Sequence, residues 1–209
     1  MACVEDRFVP NNNGREPHSY RIVRLDETGS TNDDAKQLAR AGAPEGTVVV
    51  AERQTAGRGR RGRSWITPPG TALTFSVVLR PDIAPTQVPL LVFLAAAAVR
   101  QAAEEVLEEA AGGAPGPDVL IKGPNDVVVE NRKLCGILVE TNADRDQVHW
   151  CIVGIGVNVN QQADEFPPDL RQQATSLRHL AGGPVDKDAL LSRILSGLAS
   201  LYETALNDR

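Results

Sequence analysis

The stretch TVVVAERQTAGRGRRGRSWITPPGTALTFSVVL, residues 47–79, contains the local pattern around which the rest of the chain is arranged. Residues 47–53 and residues 72–79 are rich in β-branched and alternating apolar side chains, which predicts two strands. Residues 54–70 between them are rich in glycine, arginine and proline, which predicts a long loop. The sequence therefore predicts an arginine-rich loop held between two strands.

Hydrophobic periodicity on both sides of this stretch predicts the remaining elements. Apolar residues alternate in short runs joined by turn residues, and they recur at helical spacing elsewhere. This order favours an α+β fold, a mainly antiparallel or mixed β-sheet with helices packed on it. The predicted strands are residues 20–26, 119–121, 127–129, 134–141 and 148–159, and the predicted helices are residues 33–41, residues 88–111 and a last helix capped by Asp186.

The size and composition of the chain indicate one domain. It has 209 residues, of which 42% are hydrophobic and 23% charged, and this suits a single core. Residues 1–19 show no apolar period, so we expect a flexible lead-in without a DNA-reading module. The domain itself is predicted over residues 20–209.

Charge, apolar runs and cysteines narrow the class of protein. A net charge of −5 gives no general attraction to nucleic acid, so we expect no such partner. The longest apolar run, residues 88–99, is shorter than the roughly 20 residues of a membrane helix, so we expect no membrane association. Cys3, Cys135 and Cys151 lack metal-ligand spacing and are typical of reduced thiols. With no signal-peptide pattern, we expect a cytoplasmic protein.

Residues 57–63, GRGRRGR, combine four arginines with three glycines. Guanidinium groups at this density repel one another unless an anion is bound, which indicates a phosphate or carboxylate ligand. The segment also satisfies the dinucleotide pattern G-x-G-x-x-G, but SWITPP at residues 64–69 follows where that fold requires a helix. A single-stranded nucleic-acid segment and a solvated turn remain open alternatives from these residues alone.

Two further segments carry residues suited to anion chemistry. Lys122 and Asp126 flank a proline-containing turn after an apolar strand, and we expect a partly buried Lys122 ammonium that neutralises reacting anions. Gly154 and Gly156 precede Asn158, which predicts a place where a ligand approaches the backbone beside a hydrogen-bonding amide. Taken singly, the first segment is more typical of a surface turn, and the second is as typical of a glycine-weakened strand.

Six segments, taken in order, resemble the motifs of one family. Their order and approximate spacing are similar to those of the biotin–protein ligases, and the chain resembles the class II synthetase-like catalytic domain of that family over about residues 22–205. The arginine–glycine segment is the most specific of the six. The segments are ETGSTN (27–32), ERQTAGRGRRGRSW (52–65), KGPND (122–126), KLCGILVE (133–140), GIGVN (154–158) and ATSL (174–177).

The resemblance implies a two-step ligase reaction. Members of the family convert biotin and ATP, with Mg²⁺, to biotinyl-AMP and pyrophosphate. They then transfer the biotinyl group to one lysine of a biotin carboxyl carrier protein or carrier domain. Homodimers are common in the family.

The resemblance also implies roles for residues of this sequence. Arg58, Arg60 and Lys122 would be the catalytic residues, and Asp126 would bind metal or orient the lysine. The biotin-binding residues would be Ser30, Thr31, Asn32, Gln54, Gly57, Arg58, Arg60, Lys122, Leu134, Gly136, Ile137 and Gly154. The nucleotide-binding residues would be Arg58, Arg60, Arg61, Arg63, Trp65, Asn125 and Asn158.

The chain departs from the family pattern in two places. Gly123 stands where the family usually has a tryptophan, and the small C-terminal β-barrel of the family is expected to be absent. Together with the expected lack of a DNA-binding module, this favours a ligase without a repressor role. Two alternatives are a lipoate or octanoate ligase or transferase of the same fold, and a protein that only binds biotin or its adenylate.

Overall fold

The computed structural model describes residues 3–9, 18–66 and 68–207 of the chain. Within these residues it has eight strands, four α-helices and two short 3₁₀ turns. The strands are β1 (Cys3–Val9), β2 (His18–Thr28), β3 (Thr47–Gln54), β4 (Ala72–Leu79), β5 (Val119–Lys122), β6 (Asp126–Val129), β7 (Arg132–Ala143) and β8 (Val148–Asn158). The helices are α1 (Thr31–Arg40), α2 (Val88–Ala110), α3 (Leu177–Ala181) and α4 (Lys187–Asn207).

The described strands form one mixed sheet in the order β1-β2-β3-β4-β8-β7-β6-β5. Neighbouring strands are antiparallel except β2 and β3, which run parallel and are joined through α1. A helical crossover of this kind returns the chain to the same end of the sheet, so the two strands it joins must be parallel. The predicted mainly antiparallel sheet with packed helices is confirmed.

The prediction of a flexible lead-in is wrong for Cys3–Val9. These residues form the edge strand β1, which pairs antiparallel with β2 over seven residue pairs. Period-2 patterning missed the strand because an edge strand gains most of its stability from backbone pairing and needs few buried apolar side chains. An ion pair of 2.9 Å between Glu5 and Arg24 adds to the pairing. Residues 1–2 and 10–17, which belong to the same predicted lead-in, lie outside the described residues.

Helices cover the two faces of the sheet unequally. On one face α2 and α4 pack against the strands and form the main hydrophobic core, to which β8 contributes Val153, Ile155 and Val157. On the other face α1 covers only part of the sheet, where Ala35 packs in a smaller cluster with Ile152. Side chains alternate between the faces of a strand, so the residues of β8 between its core positions point to the partly covered face.

Local signals explain where the long helices begin and end. A proline lies in the first turn of α2, and the two residues after its C-cap, Gly112 and Gly113, have φ angles of 68° and 88° that stop the helix. Asp186 Oδ1 accepts hydrogen bonds from the backbone N–H groups of Asp188 and Ala189, which confirms the predicted cap of α4.

No helix in the described part of the chain is long and apolar enough to cross a membrane. All three cysteines are free.

Candidate active site

A cavity of about 630 Å³ opens on the partly covered face of the sheet, beside α1. Its volume lies within the range of small-molecule sites. Gly154, Gly156 and Asn158 of β8 are among the residues that form its wall. Asn158 lies four positions after Gly154 on this strand, so the cavity follows β8 for about 13 Å at roughly 3.3 Å per residue.

The end of the cavity near Gly154 is polar and uncharged. Gln54 Oε1 accepts hydrogen bonds from Thr31 N at 2.9 Å and from Thr31 Oγ1 at 3.2 Å. Within the described residues, Ser30 Oγ and Gln54 Nε2 have no hydrogen-bond partner. Ser30 occupies the N-cap position of α1 but does not cap it with its side chain, so the hydroxyl remains available. This end therefore offers donors and an acceptor to a polar, uncharged ligand group.

Ser76, on β4, connects the residues of this polar end by hydrogen bonds. Its fully buried Oγ lies 2.8 Å from Thr31 Oγ1 and 2.6 Å from Asn32 Oδ1. Asn32 Nδ2 in turn donates to Glu140 Oε2 at 2.7 Å. Sequence reasoning missed Ser76, although the alternation of β4 would have placed it on the face opposite Phe75 and Val77.

The arginine–glycine loop is a folded hairpin. Its arms are joined by hydrogen bonds from Trp65 N to Gly57 O at 2.9 Å and from Gly59 N to Arg63 O at 2.7 Å. At its tip the backbone of Arg61 has a φ of 58°, in the left-handed region. The loop is therefore a structured lid with internal hydrogen bonds and its own turn.

The four arginines of the hairpin make different contacts. The Arg58 guanidinium lies 2.7 Å from Asp33 and 3.2 Å from Glu140, whereas Arg60 Nη1 donates to Asn125 Oδ1 at 3.3 Å. The remaining two, Arg61 and Arg63, have no ion-pair or hydrogen-bond partner among the side chains that the structure describes. Only Arg58 is neutralised by carboxylates.

The carboxylates that bind Arg58 are ionised more readily than usual. Partial burial raises the pKa of Glu140, but hydrogen bonds from Lys36 and Asn32 outweigh it and lower the pKa below its ordinary value. For Asp33, burial again acts upward, and the hydrogen bonds from Arg58 and Lys36 lower the pKa overall. Both carboxylates therefore carry full negative charge at neutral pH.

Trp65 lies against a pair of glycines in the middle of the cavity. Gly136 and Gly156 are directly paired across β7 and β8, and a Cβ atom on Gly156 would lie 2.5 Å from the Trp65 ring. A Cβ on Gly154 would overlap the Asn32 side chain. The two β8 glycines were expected to let a ligand approach the backbone, but here they make room for protein side chains. The buried Trp65 Nε1 has no hydrogen-bond partner within the described part of the chain.

Two lysines border the cavity, and the structure places them differently from the sequence prediction. Lys122 is exposed, with its ammonium 3.1 Å from Asn131 Oδ1, so the prediction of a partly buried ammonium is wrong. It is the last residue of the short strand β5, which lies at the edge of the sheet. Lys133 instead lies over Gly136, with Nζ 2.8 Å from Asp126 and 5.6 Å from the Trp65 ring centroid.

Sequence reasoning missed Lys133 as a site residue, although it begins the quoted segment KLCGILVE. A β-bulge explains both this and the position of Leu134. Val127 pairs with Cys135 and Val128 with Lys133, which leaves Leu134 as the extra residue. Leu134 is fully buried in the main core, so the prediction that it lines the pocket is wrong. Gly136 and Ile137 do contribute to the cavity wall, as expected.

Other predicted residues are near the cavity but already bonded. Asn125 Nδ2 donates to Ile137 O at 2.8 Å, and Asn158 Nδ2 donates to Lys133 O at 3.2 Å. Both side chains still border the cavity. Gly57 does not border it, because its Cα faces the Trp65 carbonyl oxygen, which would lie 2.5 Å from an added Cβ.

A wall between β8 and α3 was missed from the sequence. Phe166, Pro167 and Leu170, from the connection between these elements, border the Asn158 end of the cavity. Leu170 keeps 37% of its surface exposed, so this wall presents apolar area to the cavity and to solvent. An apolar residue in a proline-rich loop gives no periodic signal, which is why only the folded structure identified it.

Charge around the cavity is opposite to that of the whole chain. Six basic side chains border it, together with one carboxylate, Asp126, although the net charge of the protein is −5. In the described ranges, no group of three or more His, Cys, Asp or Glu side chains is placed to hold a metal ion. The site is therefore suited to an anionic ligand that has an uncharged polar group about 13 Å from the far end of the cavity.

Comparisons with known proteins agree with this geometry. The model of the biotin/lipoate A/B protein ligase family matches residues 25–158. The chain is 45% identical over 180 residues to the bifunctional ligase/repressor BirA of Bacillus subtilis, covering 86% of this chain and 53% of that protein. It is 37% identical over 175 residues to the biotin–[acetyl-CoA-carboxylase] ligase of Mycobacterium tuberculosis, covering 82% and 60%. The chain therefore spans little more than half the length of these relatives.

Solved structures show the same fold. The biotin protein ligase of Aquifex aeolicus in complex with biotin and ATP superposes with a TM-score of 0.68 at 31% identity, over 89% of this chain and 72% of that one. The biotin protein ligase of Leishmania major in complex with biotinyl-5-AMP gives a TM-score of 0.67 at 27% identity, over 90% and 80% of the two chains.

Proposed function

The chain belongs to the biotin/lipoate A/B protein ligase family, and on that premise we propose that it joins biotin to a carrier protein at the expense of ATP. Biotin and ATP would first form biotinyl-AMP and pyrophosphate. The biotinyl group would then pass to a lysine of a biotin carboxyl carrier protein or domain. The names of the relatives and the ligands of the superposed structures support this assignment.

One observation carries the proposal: a single cavity has a polar uncharged end and a basic end. Biotin has an uncharged ureido group at one end and a carboxylate at the other. Ser30 and Gln54 would hydrogen-bond the first, while Lys133 and the hairpin arginines other than Arg58 would surround the second. Adenylation brings a carboxylate to a phosphate, and two anions approach only where fixed positive charge offsets their repulsion.

The bonds change in two steps. A biotin carboxylate oxygen attacks the α-phosphorus of ATP, and the bond from that phosphorus to the β-phosphate oxygen breaks to release pyrophosphate. The amine of the carrier lysine then attacks the acyl carbon, the carbon–oxygen bond to AMP breaks, and the amine loses a proton to solvent. The hairpin excludes water that would otherwise hydrolyse the mixed anhydride between the two steps.

Lys133 takes the role that the sequence assigned to Lys122. Its ammonium lies inside the cavity, is oriented by Asp126 and is bordered by Trp65, whereas Lys122 is exposed at the sheet edge. A fixed, partly desolvated ammonium stabilises developing charge far better than a mobile solvated one. Arg60 would assist it from the hairpin.

Nucleotide binding would use the Asn158 end of the cavity. Arg61 and Arg63, which have no ion-pair partner among the described side chains, would bind the phosphates. Trp65 Nε1, which likewise has no partner within the described residues, would be a donor at the centre of the cavity. Phe166 and Leu170 supply apolar area for the base. Mg²⁺ would enter with ATP, since Mg²⁺ is usually held by phosphates, waters and one or two carboxylates, and Asp126 is the carboxylate that borders the cavity.

The polar end favours biotin over lipoate or octanoate. The dithiolane of lipoate and the methyl end of octanoate form no strong hydrogen bonds, so either would leave Ser30 and Gln54 without partners in a partly buried place. Partners and location follow from the same proposal: a carboxyl carrier domain as acceptor, in the cytoplasm. A homodimer belongs to the proposal only through the resemblance.

Matched alanine variants of the two lysines test the first step. Biotin-dependent pyrophosphate release from MgATP should fall about 100-fold or more in Lys133→Ala, because a charge at the reacting centre is lost. Lys122→Ala should lose about threefold or less, as expected for a solvated surface charge. Release that is independent of biotin, or faster with lipoate, would contradict the proposal. A larger loss in Lys122→Ala would restore the sequence assignment.

Mass spectrometry of a purified carrier domain tests the second step. After incubation with the protein, biotin and MgATP, the carrier should gain the mass of one biotinyl group on one lysine. Pyrophosphate release without a carrier adduct would favour a protein that only makes or holds the adenylate.

A further inference from the structure

The Arg58 side chain differs from the other arginines of the hairpin because two carboxylates already hold it. Its Nη2 lies 2.7 Å from Asp33 Oδ1, on the first turn of α1, and 3.2 Å from Glu140 Oε2, on β7. The Asp33 and Glu140 carboxylates are in turn joined by Lys36, at 3.1 and 2.6 Å. Two cations and two anions therefore form a network with no net charge.

This network connects the lid to the body of the domain. Arg58 pairs with Ser64 across the two arms of the hairpin, so holding Arg58 holds both arms. The carboxylates that hold it come from the two elements, α1 and β7, that flank the polar end of the cavity. The Arg58 contacts therefore hold the hairpin over that end of the cavity.

We propose that Arg58 is a positioning residue, which ties the hairpin to α1 and β7 and is not an anion contact. Its positive charge is already matched, which leaves Arg60, Arg61 and Arg63 to meet the phosphate and carboxylate. The consequence for catalysis rests on the proposed function, but the tie itself does not.

Because this network is exposed to solvent, the contact between the hairpin and the rest of the domain can break and form again. The side chains of Arg58 and Asp33 keep 41% and 46% of their surface exposed, and Glu140 keeps 30%. Ion pairs at such positions are weak singly and gain strength when several charges are joined. A lid that must open for substrate and product requires a tie of this strength.

Trypsin digestion of the ligand-free protein tests the tie directly, because the hairpin contains its own cleavage sites. Asp33→Asn should speed cleavage after Arg60, Arg61 and Arg63 by about two- to fivefold, the range expected when one exposed ion pair is lost from a network. Asp33→Glu should restore the slow rate. The control is Glu27→Gln, which removes a similar exposed pair with Arg53, 2.7 Å apart, that involves no residue of the hairpin. Equal cleavage of Asp33→Asn and Glu27→Gln would overturn the proposal.

A double-mutant cycle separates Arg58 from Lys36, which also contacts Asp33. In an Arg58→Gln background, Asp33→Asn should cause no further increase in cleavage, and an additive increase would assign the effect to Lys36. In biotin-dependent pyrophosphate release, Asp33→Asn should raise KM for biotin about two- to fivefold while kcat changes less than about twofold. A fall in kcat with unchanged KM would contradict positioning. An inactive wild-type protein would remove the proposed function and leave the digestion result standing.

Discussion

The two faces of the central sheet are made by the same strands but carry different side chains. Along β8, Val153, Ile155 and Val157 are buried under α2 and α4, while the alternate positions Gly154 and Gly156 face the cavity. On β8 these covered positions are filled with apolar side chains. The open face holds glycines, amides and charges, which contribute little to the core but determine what can bind. Stability and chemistry are therefore separated by the two-residue period of a strand, and substitutions on the two faces should have different effects.

The largest effect on stability is expected on the covered face. Leu195→Ala removes a fully buried side chain of α4 and should lower the free energy of unfolding by about 3 kcal/mol, through lost burial and a residual cavity. Urea denaturation followed by circular dichroism measures it. Leu170→Ala on the cavity wall is the matched control and should cost less than about 1 kcal/mol, because its side chain is 37% exposed. Equal costs would mean that the two faces are not distinct.

Gly156→Ala should have the next largest effect, because it adds a side chain where Trp65 already lies. The new Cβ would be 2.5 Å from the indole ring, so Trp65 must move, at a cost of about 2 kcal/mol from overpacking. The indole should also become more exposed, which a red shift of tryptophan fluorescence would report. Gly183→Ala is the control, since nothing lies within 4 Å of its added Cβ. An unshifted fluorescence spectrum in Gly156→Ala would show that the position of the indole does not depend on the missing side chain at residue 156.

Glu140→Gln should have a smaller effect that depends on pH. Hydrogen bonds from Lys36 and Asn32 lower the pKa of Glu140 in the folded protein despite its partial burial. The ionised carboxylate therefore stabilises the fold above the unfolded pKa of about 4.3, and this stabilisation is lost as the pH falls through the folded pKa. At pH 7 the variant should be about 1 kcal/mol less stable than the wild type. Urea midpoints that still differ as much at pH 3 would show that the charge is not the cause.

The smallest effect is expected at Gly123, the position where the resemblance implies a tryptophan. An added Cβ there would meet nothing within 4 Å, so Gly123→Trp should change the free energy of unfolding by less than about 0.5 kcal/mol. The indole would extend the cavity wall beside Pro124, and we expect tighter binding of a non-hydrolysable biotinyl-AMP analogue, measured by calorimetry. Unchanged affinity would show that the missing aromatic wall has no role in this protein.

Most of the fold followed from local patterns. Residues 72–79 and the start of α2 at Val88 were predicted at the positions where the structure has them, because period-2 alternation and strong helix ends are readable without neighbours. The strand β1 was missed because an edge strand depends on its partner. Leu134 and Lys133 were misassigned because a β-bulge changes which side chain faces the cavity, and neither β-strand alone encodes the register between β6 and β7.

The sequence by itself determined most of the strands and helices, the alternation of apolar side chains along the strands, and the concentration of arginine in one loop, because each of these depends on residues close together in the chain. Only the tertiary structure decided which arginine of the hairpin is paired with carboxylates and which arginines remain available to bind an anion. Asp33 lies 25 residues before Arg58 and Glu140 lies 82 residues after it, so their meeting depends on the packing of α1 and β7 around the hairpin. Ion pairs between distant residues leave no periodic signal, and for that reason the role of Arg58 could be inferred only from the folded chain.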